Sequence, residues 1–234
     1  MVRMRLLVAN PNATESVTDA CAALARAAAS AGTDILRWTN REGPPLVDSW
    51  LTDYAAGATL APALRQVNPP PDAVVLAGFG NYGTAAVKEA LDVPVVALAE
   101  ASMSLAMPLC RRFAIVTTAP RMVAYTEDLV ATLGFRERCA GVTAIQLPPL
   151  GAAVHDDALV AELAAEVERI RSLGRAEVVI LGGSRLSPFA APLRKLTPIT
   201  VLEPVACAVQ MAEALVRLGL APSRLGAPPF REPR

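Results

Sequence analysis

The chain has 234 residues, 53% of them hydrophobic and 19% charged, a balance that excludes intrinsic disorder and allows one large domain or two small ones around a substantial core. Lys plus Arg and Asp plus Glu both number 22, so no excess positive charge recruits nucleic acid or an anionic membrane, and neither is expected as a partner. The apolar run within residues 1–12 is too short for a signal or membrane segment, and the four cysteines, Cys21, Cys110, Cys139 and Cys207, are widely spaced; the expectation is a cytoplasmic protein with reduced, structural thiols.

Short aliphatic runs then alternate with longer amphipathic stretches. Residues 4–9 read as a buried strand and 14–31 as an Ala-rich helix, with Thr14 or Asn12 able to cap its start. A strand over 35–38 precedes a mainly helical stretch over 48–68, which the prolines at 69–71 break. Strand 73–77, helix 83–91 and strand 93–98 follow, then helix 102–110, strand 113–117 and helix 123–133. The remainder reads as strand 142–146, helix 156–173, strand 178–181, short helix 189–195, strand 199–202 and helix 205–218, with a loosely ordered Pro-rich tail over 227–234. Such alternation predicts right-handed crossovers and parallel sheets covered on both faces, an α/β fold. His155 is the only histidine, so a zinc site or a Ser-His-Asp triad built on any other histidine is excluded. Lying ahead of Asp156 and Asp157, it reads as a surface or cap residue.

The chain also echoes itself. Arg5-Leu-Leu-Val-Ala-Asn10-Pro resembles the segment from Arg112 through Thr117 to Pro120; the segment from Asp72 to Gly78 resembles that from Ala176 to Gly183; and the segment ending at Glu100 resembles that ending at Glu203. The three pairs occur in the same order at nearly equal spacing, which predicts two similar halves. In a parallel sheet, ligands bind beyond the carboxyl ends of the strands. The turns at 10–12, 78–83, 117–121 and 182–187 are therefore expected to surround one small-molecule cleft between the halves.

Asn10 offers an amide at the first of these turns, while Asn12 reads as a helix cap. Thr117 and Thr118 supply hydroxyls ahead of a helix, suited to an anion or a urea-like carbonyl, or form an ST-turn. The run Gly78-Phe79-Gly80-Asn81-Tyr82-Gly83 superficially suggests a phosphate loop, but it lacks the Walker Lys and Ser/Thr, and nucleotide binding is rejected as the default. Glycines there let backbone approach a ligand or permit a positive φ. Gly182, Gly183 and Ser184 would serve the second half in the same way, while Arg185 would pair with a carboxylate or face solvent. Glu100 and Glu203 are read at strand ends, as structural caps or as partners in a hydrogen bond between the halves rather than as catalytic groups.

These residues carry a resemblance to the hydantoin and allantoin racemases of the aspartate/glutamate racemase superfamily. It extends over almost the full length, through residues 6–12, 78–80, 95–103, 112–118, 178–182 and 205–213. The resemblance implies two flavodoxin-like lobes with parallel sheets, related by a pseudo-twofold, with the ligand cleft between them. The first lobe would span 1–98 plus 205–234 and the second 99–204. It also implies a cofactor-independent enzyme, a small-molecule substrate, a homo-oligomer, and substrate contacts from Asn10, Thr117 and Thr118.

Members of that group use two cysteines, one to remove a proton and the other to return it, and both matching positions, Gly78 and Gly183, are glycine here. The cysteines present fall elsewhere: Cys21 and Cys207 in the first and last helices, Cys110 at a helix end, and Cys139 in a loop. A positioned acid or base contributes roughly 10²–10⁴-fold, so two-thiol racemisation is expected to be abolished or very weak. The glycines would also enlarge the pocket. The reading is a divergent isomerase or lyase, such as a decarboxylase, working through an enolate-type intermediate, with Tyr82, Ser184 and Tyr125 as candidate proton donors and Glu203 further behind. The alternative is a catalytically inactive small-molecule-binding homologue.

Overall fold

Apolar runs buried on both faces set the architecture of the computed structural model, which describes residues 3–148 and 157–223. By internal contacts the chain divides into unit 1, Met1–Leu98 with Ala208–Arg234, and unit 2, Ala99–Cys207. In unit 1, β1 (Met4–Asn10) is buried from Leu6 onward and β2 (Thr33–Thr39) is half-buried, while β3 (Ala73–Leu76) and β4 (Val95–Ala97) are buried throughout. They form a parallel sheet in the order β2-β1-β3-β4, with Ala9 opposite both Trp38 and Leu76, and Asn10 opposite Thr39. In unit 2, β5 (Phe113–Thr117), β6 (Cys139–Ala144), β7 (Val178–Gly182) and β8 (Thr200–Leu202) form a parallel sheet in the order β6-β5-β7-β8, and β5 and β7 are wholly buried. A near-continuous apolar strand needs cover on both faces, which is why such runs sit centrally and the helices flank them.

The echo in the sequence is an echo in hydrogen bonding. Arg5 N–H donates to the Asp72 carboxylate at 2.7 Å and Asp72 N–H returns to the Arg5 carbonyl. In unit 2, Arg111 N–H donates to Glu177 at 2.5 Å and Glu177 N–H donates to the Arg112 carbonyl. At the opposite ends of the sheets, Asn40 N–H reaches the Asn10 carbonyl and Ile145 N–H reaches the Thr117 carbonyl, both at 3.1 Å.

The helices are α1 (Glu15–Ala28), α2 (Trp50–Leu64), α3 (Thr84–Ala90), α4 (Leu98–Ala106), α5 (Met122–Thr132), α6 (Asp157–Ser172), α7 (Ala190–Leu196) and α8 (Pro204–Arg217). Most lie where the sequence places them, and the exceptions have local causes. Thr14 occupies the N-cap of α1, but its hydroxyl donates to the Pro45 carbonyl at 2.6 Å instead of capping; Asn12 Oδ1 accepts from Thr14 N–H. Past Pro62, α2 tightens into three-residue bonds, Gln66 N–H to Ala63 O and Val67 N–H to Leu64 O, and stops short of residue 68. Helix α4 starts directly at the end of β4, because Leu98, Ala99, Glu100 and Ala101 are good helix formers. Glu100 is thus in a helix's first turn, favourable for an acid, not at a strand end. Cys110 lies in the turn beyond α4, and Cys139 begins β6 rather than sitting in a loop. His155 and the 227–234 tail lie outside the described residues.

Within unit 1, α8 is tied down by one fully buried carboxylate. Glu213 accepts from Ser30 N–H at 2.8 Å, the Ser30 hydroxyl at 2.5 Å, the Thr33 hydroxyl at 2.6 Å and Arg217 at 2.6 Å. Burial acts to raise its pKa, but the hydrogen bonds from Ser30 and Thr33, with Arg217, outweigh it and hold the carboxyl below its ordinary value. The sign follows: a depressed folded pKa contributes stability above the unfolded pKa and loses it as pH falls through the folded value. Glu213→Gln should cost about 2–3 kcal/mol at pH 7 and flatten the loss of stability on acidification below about pH 4.5, as read by urea denaturation across that range.

Candidate functional site

At the C-terminal edge of the unit 1 sheet, β1 and β3 run straight into polar turns. Asn10 is fully buried, and its amide nitrogen lies 3.0 Å from Asn12 Oδ1, 3.1 Å from the Thr14 carbonyl and 3.0 Å from Thr18 Oγ1, while its Oδ1 accepts from Asn12 N–H. Three acceptors compete for two hydrogens, so this side chain is spent on closing the turn. The network continues from Thr18 to Thr39 at 2.7 Å and from Thr39 to Glu15 at 2.9 Å. The Thr39 hydroxyl, with Arg41 and Arg37 nearby, holds the Glu15 carboxyl below its ordinary value. A depression beside the end of β2, lined by Glu15, Arg37, Trp38, Asn40 and Arg41, is not an open anion site, because Arg37 is paired to Glu15 and Asp19 and Arg41 to Glu15.

After β3, Gly78, Phe79, Gly80 and Tyr82 are all buried. Gly78 N–H turns back to the Leu76 carbonyl at 2.9 Å. The space on the side-chain side of Gly78 is filled: a Cβ there would lie 2.5 Å from Tyr82 Cε2 and 2.6 Å from Tyr82 Cζ and Oη. The room the glycine was expected to open is therefore taken by a phenol ring. Tyr82 is itself unusual, with φ of 45°, a left-handed conformation costly for an aromatic residue. The buried Asp53 of α2 accepts its N–H at 2.9 Å. One helical turn on, Gly57 lets the same helix press on the loop: a Cβ at Gly57 would stand 2.9 Å from Gly83 N and 3.0 Å from the Tyr82 carbonyl carbon. Gly83 follows at φ of 64°, which glycine adopts without strain. The glycines at 78, 80 and 83 do carry G-x-G-x-x-G spacing, yet the ring lies on Gly78 and α2 on Gly83, so two of the three serve internal packing. Burial first, then the charge of Asp53 and the nearby Cys21, push the Tyr82 hydroxyl far above its ordinary pKa, so it stays neutral. Cys21 lies directly behind this turn, its thiol pointing to the Ala77 carbonyl at 3.9 Å.

Unit 2 repeats the arrangement with other side chains. Gly183 N–H turns back to the Leu181 carbonyl at 2.9 Å, as Gly78 does to Leu76. Thr117 is buried and donates its hydroxyl to the Gly182 carbonyl at 3.3 Å; Thr118 is half-buried, and its methyl would be 2.8 Å from a Cβ at Gly183. The structure thus brings Thr118 and Gly183 together. A 3-10 turn, Ser184–Phe189, follows, in which Ser184 is half-buried. Arg185 is half-buried, and among the described residues it pairs with no carboxylate: it donates to the Pro148 carbonyl at 2.6 Å, and burial lowers its pKa. Tyr125 is buried in α5. Glu203 is a cap, as expected, accepting from Val205 and Ala206 N–H at 2.7 Å each at the start of α8. Beside it, Cys207 is a buried thiol pushed up to about 11 by desolvation and by Glu203, the wrong direction for a ready nucleophile or base. Two residues were missed in the sequence. Asp53 had no local signal, and Ser187, whose buried hydroxyl has no partner among the described residues, is marked only by lying in the turn after Gly183.

Among the described residues, no helix is long and apolar enough to cross a membrane, and no group of three or more His, Cys, Asp or Glu is placed to hold a metal ion. The family model for Asp/Glu/Hydantoin racemase matches residues 6–212. The chain is 34% identical over 227 residues to a hydantoin racemase of Paenarthrobacter aurescens, covering 94% of each chain. It is 32% identical over 225 residues to one of Rhizobium meliloti, covering 95% of this chain and 92% of the relative. The structure of allantoin racemase from Pseudomonas fluorescens superposes with a TM-score of 0.89 at 35% identity, covering 99% of this chain and 98% of that one. Arylmalonate decarboxylase shares the fold at a TM-score of 0.62 and 15% identity, over 91% of this chain and 92% of that one.

If the Asn10 amide is spent on its turn, Asn10→Ala should lower unfolding stability by about 1–3 kcal/mol, measured by urea denaturation. An unchanged midpoint would mean that the amide is free for another role.

Proposed function

The chain belongs to the Asp/Glu/hydantoin racemase family, and on that premise we propose that it is a divergent, cofactor-independent enzyme. Its substrate is a hydantoin-like compound or a small carbonyl or carboxylate compound, converted through an enolate-type intermediate without a two-thiol acid/base pair. In this reading each unit's strand-end turn carries ligand-binding residues, Gly78, Phe79 and Gly80 in unit 1 and Thr118, Gly182, Gly183 and Ser184 in unit 2. The observation that carries the reading is that both strand-end turns keep the same backbone closure while neither Gly78 nor Gly183 has a titratable atom.

Chemistry narrows the roles. Removing a proton or carbon dioxide from a carbon next to a carbonyl leaves an electron pair that spreads onto oxygen, and hydrogen-bond donors aimed at that oxygen are worth about 10²–10³-fold each. The Gly78 and Gly183 amides already donate to Leu76 and Leu181, so side-chain hydroxyls have to supply the donors. Ser184, Thr118 and Tyr82 are the nearest by position, with Tyr125 a further candidate. An isomerase needs a base on one face and an acid on the other, whereas a decarboxylase needs only a proton delivered after carbon dioxide leaves. The absence of a thiol at 78 and 183 favours the less demanding requirement. The same absence supports a second reading, a binding protein that has lost the chemistry.

Incubation with a panel of 5-substituted hydantoins and substituted malonates in deuterated water, followed by proton NMR, tests the proposal. Deuterium at the α-carbon of intact substrate identifies an isomerase; deuterated product with loss of carbon dioxide identifies a lyase. Saturable binding without either identifies the binding protein, and neither binding nor turnover across the panel overturns the assignment of the ligand class.

A further inference from the structure

We infer that Tyr82 takes the place of the side chain that position 78 lacks, and that its hydroxyl is a fixed neutral donor to an oxygen atom of the ligand. The second half of this statement rests on the function proposed above; the first stands on geometry alone.

The far end of the phenol, not its base, lies where a residue at 78 would begin. Cε2, Cζ and Oη all fall 2.5–2.6 Å from the Cβ position of Gly78, closer than carbon and oxygen atoms approach without a bond. A cysteine at 78 and a tyrosine at 82 in this conformation therefore exclude each other. The backbone beneath the ring is held from two sides, so the ring can yield only by turning about its own side-chain bonds within the core it packs in. Asp53 accepts the Tyr82 N–H at 2.9 Å, and Gly57, one turn along the same helix, brings α2 onto the backbone of Tyr82 and Gly83. A left-handed backbone at a bulky residue survives only where its surroundings over-determine it, and such residues cluster at functional sites. Here the surroundings are a buried carboxylate, a glycine that permits close helix approach, and a glycine that continues the left-handed turn.

Protonation decides what the hydroxyl does. Desolvation leads, and the Asp53 charge and Cys21 act in the same direction, all keeping the phenol neutral. It cannot take a proton from carbon in the manner of a thiolate. It can donate a hydrogen bond, and the acceptor that suits a buried neutral donor is a carbonyl or carboxylate oxygen. The unit 1 turn thereby offers a donor for an oxygen where a thiol at position 78 would handle a proton at carbon.

A double-mutant cycle combined with ligand titration tests both halves. Thermal unfolding is measured for the wild-type chain, Gly78→Cys, Tyr82→Gly, Tyr82→Phe and the paired variants, with Gly78→Ala replacing Gly78→Cys if the latter does not fold. Gly78→Cys should lower the melting temperature in the wild-type and Tyr82→Phe backgrounds, since phenylalanine keeps Cε2 and Cζ, and should be tolerated in the Tyr82→Gly background. An equal effect in all three backgrounds overturns the replacement. Calorimetric titration with 5-substituted hydantoins and malonates should show Tyr82→Phe binding about tenfold or more weakly, with its melting temperature close to that of the wild-type chain. Unchanged affinity overturns the donor role and leaves the proposed function standing. If the wild-type chain binds no member of the panel, the proposed function and the donor role fail together, and the melting cycle still decides whether Tyr82 replaces the side chain at 78.

Discussion

Two pairs of strands, β1 with β3 and β5 with β7, impose the constraint from which the rest of the molecule follows. Their residues are apolar and buried almost without interruption, so each pair has to sit inside a sheet covered on both faces. Parallel pairing then brings the carboxyl ends of neighbouring strands to the same edge. The first residues able to leave the apolar layer are Asn10 and Gly78 in one unit and Thr118 and Gly183 in the other. The position of the polar turns is thus a by-product of core burial, fixed before any question of chemistry arises.

What the turns do with that position differs between the units. In unit 1 the polar atoms are largely turned inward: Asn10 closes its own turn, and Tyr82 lies against Gly78 under the hold of Asp53. In unit 2, among the described residues, only the Thr118 methyl stands in the space beside Gly183, and a threonine methyl can rotate aside more readily than a buried phenol. The two glycines therefore have unequal histories within the fold. One is matched by a bulky neighbour, the other by a small movable one.

The sequence was legible where periodicity and burial agree. The central strands, the internal echo and the parallel α/β class follow from aliphatic runs ended by glycine or polar residues, and the paired sheets with identical strand order bear this out. The strand-end turns were legible as places, not as arrangements. Nothing local to residues 78–83 says that a ring folds back on Gly78, because that direction is set by Asp53 and Gly57, which belong to a different helix. The start of α4 was misplaced for a related reason. Leu98 and Ala99 continue the apolar run of Val95–Ala97 without a break, and only the hydrogen-bonding partner separates strand from helix there.

Glu213 gives the chain a particular order of completion. The loop and strand that it fastens, at Ser30 and Thr33, emerge early in synthesis, while the carboxylate that satisfies them lies near the end of the chain. Until the ribosome has released residue 213, unit 1 holds a hydroxyl pair and an amide waiting for their acceptor. Unit 2, contained within Ala99–Cys207, has β5 to β8 already made by then. The half of the protein that is begun first is therefore the half that is finished last.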